Sequence, residues 1–415
     1  MDERVLVDLV SLFGYRMAMA GAETYRVEDS ATMIFRTYGY DSEVFYIPNC
    51  LTMSINDPSG TPVYRMRRLG GHGNDLDCVE RYSNLSRKIC REKPDLDTLR
   101  QWIEETELSR EHYSFPLNLL AGYLCGFGFS ILFGGRLIDG LCAGLLGVLI
   151  IYIDAWMHKF HANPVFNTIC SAFCCAMVGY FTANCLIPHN PDAAIIGALM
   201  ILVPGMLFTN AMRDIMCGDT NSGIIRSAMV VLQSVAIALG TAAALFLSIK
   251  IWGAPPPLQK VPHSLLVLNL ASFIGCTSFS IQFNVHGKGW LLCPLGGVFS
   301  WTAYYITNRC TGNVIFSMFV AALVSALYAE IMARVRKYPA ISYLVVANIP
   351  LFPGSGVYYS MFYAVQGDME LFAQKGYETA AVAGAIALAV MLVSTCFRMW
   401  TLYAMNRKLR LSRKK

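Results

Sequence analysis

LVPGMLF, residues 202–208, returns 149 residues later as LFPGSGV, residues 351–357. Each lies in an apolar stretch of the length a bilayer needs, about 20 residues. Each also places a Pro-Gly pair inside that stretch. Proline removes a backbone hydrogen bond and clashes with the preceding turn. Glycine tolerates the deviation that results and lets another group approach closely. In a bilayer the freed carbonyls need partners in protein or in a water-filled cavity, so matched breaks point to a site between two related halves.

A second match lies upstream of each break. AGYLCGFGFSILF (121–133) aligns with ASFIGCTSFSIQF (271–283) at an offset of 150. Two matches in the same order, at nearly one offset, indicate internal duplication. Working outward, spans are expected near 114–134, 137–157, 165–188, 192–212 and 222–250, then 263–284, 288–308, 312–335, 339–365 and 376–402. Five spans per half is an odd number, so the second half must enter the membrane from the opposite side. The expected fold is mainly α: a polytopic membrane protein of about ten transmembrane helices in two inverted five-helix repeats, preceded by a small cytosolic α+β domain. The expected boundaries are 1–113 for that domain, 114–252 and 262–405 for the repeats, 253–261 for a linker (GAPPP at its start) and 406–415 for a basic tail.

Composition agrees: 55% of residues are hydrophobic and 15% charged, against about 25% charged in soluble domains. Charge is concentrated early. Up to Tyr113 there are 14 Lys/Arg and 19 Asp/Glu, and only 9 acids follow. Met1-Asp2-Glu3-Arg4 leads into an amphipathic stretch with Asp8, which does not read as a cleavable signal, so the head is expected in the cytosol. With ten spans, Lys159, Arg213, Arg226, Lys288, Arg334, Arg336, Lys337, Arg398, Arg407, Lys408, Arg410, Arg413, Lys414 and Lys415 fall inside. Arg136, Lys250, Lys260, Arg309 and Lys375 fall outside. This bias places both termini in the cytoplasm of a cell (plasma or inner) membrane protein. The 14 cysteines lie mostly in apolar runs and read as packing residues, including adjacent Cys174 and Cys175.

In the head, Gly21–Gly39 reads as a helix opened by a turn, and Ser42–Ile55 as strand material broken at Pro48-Asn49. Thr61–Leu69 reads as a further strand, with helices around Leu76–Cys90 and Asp95–Leu108. The cluster Glu23, Arg26, Glu28 and Asp29 suits a structural or docking role, since no nucleophile–base pair accompanies it.

A substrate site is expected around Pro204, Gly205, Pro353 and Gly354, where half-helices would aim N–H groups at a carboxylate. Thr209, Asn210, Arg213 and Asp214 follow the first break; Ser355 and Tyr358 follow the second. Arg213 could equally pair with Asp214 or Asp219 and shape a loop. Intramembrane acids are costly and often functional, which singles out Asp139, Asp154 and Glu330 for ion coupling. His158 and His161 have helical spacing without a further ligand, so no metal site is expected. No P-loop or Walker motif is present, which argues against direct ATP drive. The reading is of a non-enzyme without cofactor or nucleic-acid partner. Its partners are the bilayer, a small-molecule substrate (amino acid or dicarboxylate) and protons, and homo-oligomers are compatible with the sequence.

GAETYRVEDS from Gly21, YRMRR from Tyr64, LVPGMLFTNAMRDIMCGDTNSGIIR (202–226) and YPAISYLVVANIPLFPGSGVYYSM (338–361) together resemble the threonine/serine exporter family in its fused, two-half form. The resemblance implies export of threonine and serine from the cytoplasm, driven by an ion gradient, with protons as the expected ion. Some split members of the family look like succinate exporters, so a C4-dicarboxylate is the alternative substrate. A gated channel regulated by the head and a membrane hydrolase are the readings from other classes.

Overall fold

The computed structural model describes residues 2–71, 73–160, 162–253, 261–336 and 338–412. Most of the expected linker, at 254–260, lies outside the described residues, as do His161, Lys260, Lys337, Arg413, Lys414 and Lys415. The chain divides into two units. One holds residues 1–113, 206–229 and 283–286; the other holds 114–205, 230–282 and 287–415.

The first unit begins with α1 (Glu3–Met19), whose N-terminus is capped by the Asp2 carboxylate accepting from the N–H of Arg4. Helix α2 (Thr24–Tyr38) ends at Gly39, whose φ of 95° suits glycine. Three antiparallel strands follow in the order β1 (Ser42–Ile47), β2 (Cys50–Asn56), β3 (Pro62–Arg68). Ile47 pairs with Cys50, so the Pro48-Asn49 break is a two-residue hairpin turn. Strand β2 alternates, burying Leu51, Met53 and Ile55, as expected of a sheet with one covered face. These pack with Phe13 and Met17 of α1, Val27 and Phe35 of α2 and Tyr82 of α3 (Leu76–Glu92). Full burial of one such side chain contributes about 1.5–3 kcal/mol. Gly14 lets α1 approach β2: a Cβ there would lie 2.7 Å from the Met53 terminal methyl. Helix α4 (Leu96–Leu108) closes this part.

The later helices are α5 (Phe115–Leu132), α6 (Leu137–Lys159), α7 (Pro164–Cys185), α8 (Pro191–Leu199), α9 (Gly205–Cys217), α10 (Thr220–Trp252), α11 (Leu265–Gln282), α12 (Gly289–Thr311), α13 (Val314–Arg336), α14 (Ala340–Asn348), α15 (Gly354–Gln366) and α16 (Met369–Ser412). Most of α9 and the start of α10 belong to the first unit.

Among the described residues, eight helices are long and apolar enough to cross a membrane, or nine if α8 and α9 form one bent span. The sequence reading expects ten; α12 makes the difference from nine. That helix has the length but dilutes its apolar residues with Pro294, glycines and a polar end, Thr307-Asn308-Arg309.

Helices α5 and α6 pack with backbones in near contact. A Cβ on Gly126 would lie 2.1 Å from the Ala143 carbonyl, and one on Gly147 would lie 2.1 Å from that of Gly122. Small residues serve this purpose where lipid removes any hydrophobic drive between helices. The same device joins α5 to α11, where a Cβ on Gly128 would lie 2.7 Å from the Ala271 carbonyl. These two helices run antiparallel. Gly134, just past the end of α5, accepts from Val261, just before α11. Tyr113, just before α5, bonds the Val285 carbonyl, just past α11.

Candidate functional site

The two Pro-Gly breaks are built alike. Helices α8 and α14 each have nine residues, each passes into a three-residue 3-10 turn, and α9 and α15 each resume for 13 residues. Val203 leaves the first turn at φ −65°, ψ 126°, and Phe352 leaves the second at φ −61°, ψ 133°. The Gly205 N–H then bonds the Val203 carbonyl and the Gly354 N–H the Phe352 carbonyl, both at 2.8 Å. The axis bends by 52° at the first break.

The breaks also meet. A Cβ on Gly205 would lie 2.6 Å from the Phe352 ring, and one on Gly354 would lie 2.9 Å from Val203. Pro204, Pro353 and Ser355 are half-buried there.

One turn along α15, the Tyr358 side chain is buried and donates to Asp192 Oδ1 at 2.7 Å. Tyr180 of α7 sits 2.7 Å from the Tyr358 hydroxyl and 3.4 Å from the same Asp192 oxygen. Asp192, the second residue of α8, is only 3% exposed. Sequence reasoning missed it because the fourth span was expected to begin at that residue, which makes the acid look like a wet helix end. The available signal was an acid at the very start of an apolar run, with tyrosines elsewhere to meet it.

Thr209, Asn210, Arg213 and Asp214 are placed differently. They belong to the first unit and are buried there. Asn210 donates to the Gly21 carbonyl at 2.9 Å, and Arg213 stands 3.1 Å from Glu23. Asp214 accepts from the backbone and hydroxyl of Thr24 and pairs with Arg226 at 2.8 Å. Ser222 and Arg226 reach the Tyr46 carbonyl and hydroxyl. The turn Gly21–Thr24 is thus held by α9 and the start of α10. Burial would raise the pKa of the Glu23 carboxyl, but Arg26 and Arg213 outweigh it and hold it down at about 2. Among the described residues no such cation faces Glu28: burial, with Asp219 and Asp214 nearby, pushes its carboxyl up to about 7 against a hydrogen bond from the Tyr46 N–H.

Residues 283–286 complete this unit. Asn284 donates to Asp75 at 3.0 Å and to the Glu111 carbonyl, and His286 stacks on Tyr113.

The three acids expected to couple ions are not brought together. Asp139 caps α6 by accepting from the N–H of Arg136 and of Asn190, both at 2.7 Å. Asp154 accepts from Asn167 at 2.6 Å, and Glu330 pairs with Arg334 at 2.6 Å.

A family model described as "Putative threonine/serine exporter" matches residues 8–248, and one described as "Threonine/Serine exporter, ThrE" matches residues 269–396. The chain is 19% identical over 393 residues to a threonine/serine exporter of Corynebacterium glutamicum, covering 92% of this chain and 79% of that one. It is 23% identical over 256 residues to the "Probable succinate transporter subunit YjjP" of Escherichia coli K12, covering 61% of this chain and 96% of that one. Pheromone-regulated membrane protein 10 of Pichia sorbitophila is 22% identical over 357 residues, 80% of this chain and 34% of that protein. The chain therefore spans about a third of the fungal relative's length. No solved structure matches.

Proposed function

The chain belongs to the threonine/serine exporter family of membrane transporters, and from that premise we propose that it exports threonine and serine from the cytoplasm by alternating access, driven by protons. The observation that carries this reading is the pair of equal breaks in contact at Gly205 and Phe352. Two half-helices that begin at one junction present N-terminal N–H groups, suited to a carboxylate, beside the hydroxyls of Ser355 and Tyr358. Pro204, Gly205, Pro353 and Gly354 form the walls. Asn210, Arg213 and Asp214 hold the Gly21–Thr24 turn to α9, and Thr209 is buried on the same helix.

The two halves are read as inverted repeats of five spans, with α12 counted as the counterpart of α6. The antiparallel run of α5 and α11 supports this, as do matched lengths of 18 residues for that pair and 23 for α6 and α12. The N-terminal domain and both termini are assigned to the cytoplasmic side of the plasma or inner membrane, on the distribution of basic residues. A second reading, export of a C4-dicarboxylate, is favoured by the likeness to the succinate transporter subunit.

Efflux from proteoliposomes preloaded with threonine, serine or succinate, with and without a pH gradient, tests the proposal. Gradient-stimulated release of the two amino acids is expected. Release of succinate alone selects the second reading, and release no faster than from empty-vesicle controls overturns both.

A further inference from the structure

Asp192 is a carboxylate inside the membrane unit, and among the described residues no lysine or arginine forms an ion pair with it. The groups facing it come from two elements: Tyr180 from α7, and Tyr358 with neighbouring Tyr359 from α15. From α6, Asp139 reaches only the backbone of Asn190, two residues before it. His189 turns to the Ile187 carbonyl. Helix α5 meets α8 through Gly197, where a Cβ would lie 2.6 Å from the Ser130 nitrogen. Two neutral hydroxyls and the α8 N-terminus are therefore the anion's support. Such a group takes up a proton when its surroundings change.

We propose that Asp192 is the proton-binding carboxylate of the transporter, and that its ionised form latches Tyr358 of the second half to α7 and α8 of the first. This inference rests on the export reading for its purpose, but not for its geometry. The ionised carboxylate accepts the Tyr358 hydroxyl, which in turn lies within hydrogen-bonding distance of Tyr180. A proton arriving from water bonds to a carboxylate oxygen, neutralises the charge and makes Asp192 a donor; both tyrosines stay neutral. The charge-assisted bond is then gone, and Tyr358 is released toward the break one turn away, where the substrate's polar groups would lie. Tyr180 and Tyr358 are positioning residues in this step. The arrangement links proton occupancy to the junction between halves without needing Asp139, Asp154 or Glu330.

Infrared difference spectroscopy of the purified full-length protein, stepped in pH, tests the proton site directly. The wild type is expected to show a protonated-carboxyl band that Asp192→Asn lacks. Tyr358→Phe should bring that band in at higher pH, because the ionised carboxylate loses the hydroxyl that donates to it. Asp139→Asn should leave it in place. A band unchanged in Asp192→Asn overturns the proposal, and so does a band that appears at the same pH in Tyr358→Phe as in the wild type. In proteoliposomes, the ratio of gradient-driven net efflux to threonine exchange should fall at least about tenfold in Asp192→Asn; an unchanged ratio overturns the coupling role. If the wild type transports nothing, the export reading fails while the infrared comparison still decides the proton site.

Discussion

Gly205 and Phe352 meet so closely that a methyl group on the glycine would lie 2.6 Å from the ring. The contact joins one break to the other, so it is where relative movement of two halves would be felt. Gly205→Ala should cost about 1–3 kcal/mol through overpacking and slow transport. Phe352→Leu in the same chain should restore part of both. Gly384, with nothing near its missing side chain, is the control: Gly384→Ala should melt and transport like wild type. Equal behaviour of Gly205→Ala and the control would remove the contact from the mechanism.

The Asp214–Arg226 pair has no exposed side-chain surface on either partner. Removing one partner leaves an uncompensated buried charge, which costs about 3–5 kcal/mol. Arg226→Met should therefore lower the melting temperature sharply. Asp214→Leu combined with Arg226→Met should recover much of the loss, because the pair's own desolvation cost disappears with it. Thermal melts of the single and double variants in one detergent check this. A double variant as unstable as the sum of both singles would show that other partners, such as Thr24, dominate.

The breaks, the interruption of strand material at Pro48-Asn49 and most span positions were legible in the sequence because their signals are local. Proline and glycine act on their own turn, and hydrophobic periodicity is read within one helix. Pairings across the chain leave no such trace. Asp214 meets Thr24 from 190 residues away, and Tyr358 meets Asp192 from 166. Arg213 could be seen to need an acid, but Asp214 and Asp219 were nearer in sequence than Glu23. Asp192 was hidden because its position at the head of an apolar run looks wet, whereas packing by α7 and α15 closes it. Helix α12 shows the opposite limit, in that its length matches α6 while its composition weakens the signal for a span.

Glu28 gives the N-terminal domain a pH dependence of unusual sign. Its pKa lies at about 7 in the folded protein against the ordinary glutamate value of 4.5. Between those values the folded state binds more proton than the unfolded chain, so stability falls as pH rises through the window. The contribution is fully present below pH 4.5 and is lost as pH rises through about 7. Glu28→Gln keeps an acceptor for the Tyr46 N–H without the charge. Its melting temperature should match wild type near pH 4.5 and exceed it increasingly up to pH 8. A difference that stays flat with pH would show that the carboxyl is already ionised throughout.

The three acids singled out by sequence should separate by role. Asp139 is 1% exposed, and its two oxygens hold the starts of α6 and α8 through the N–H groups of Arg136 and Asn190. An amide can accept only one of those bonds well and turns a donor toward the other N–H. A buried donor left without an acceptor costs about 1–3 kcal/mol, so Asp139→Asn should reduce folded yield. The protein that does insert should respond to a pH gradient as wild type does, because the change removes a cap and leaves Asp192 intact. Asp154 is half-exposed and Glu330 is paired to Arg334 one turn away, so amides there should alter neither yield nor gradient response by more than about twofold. Size-exclusion yield and gradient-driven efflux, measured on the same preparations, distinguish a cap from a coupling residue. Loss of gradient response at normal yield in any of the three would return that acid to the proton path.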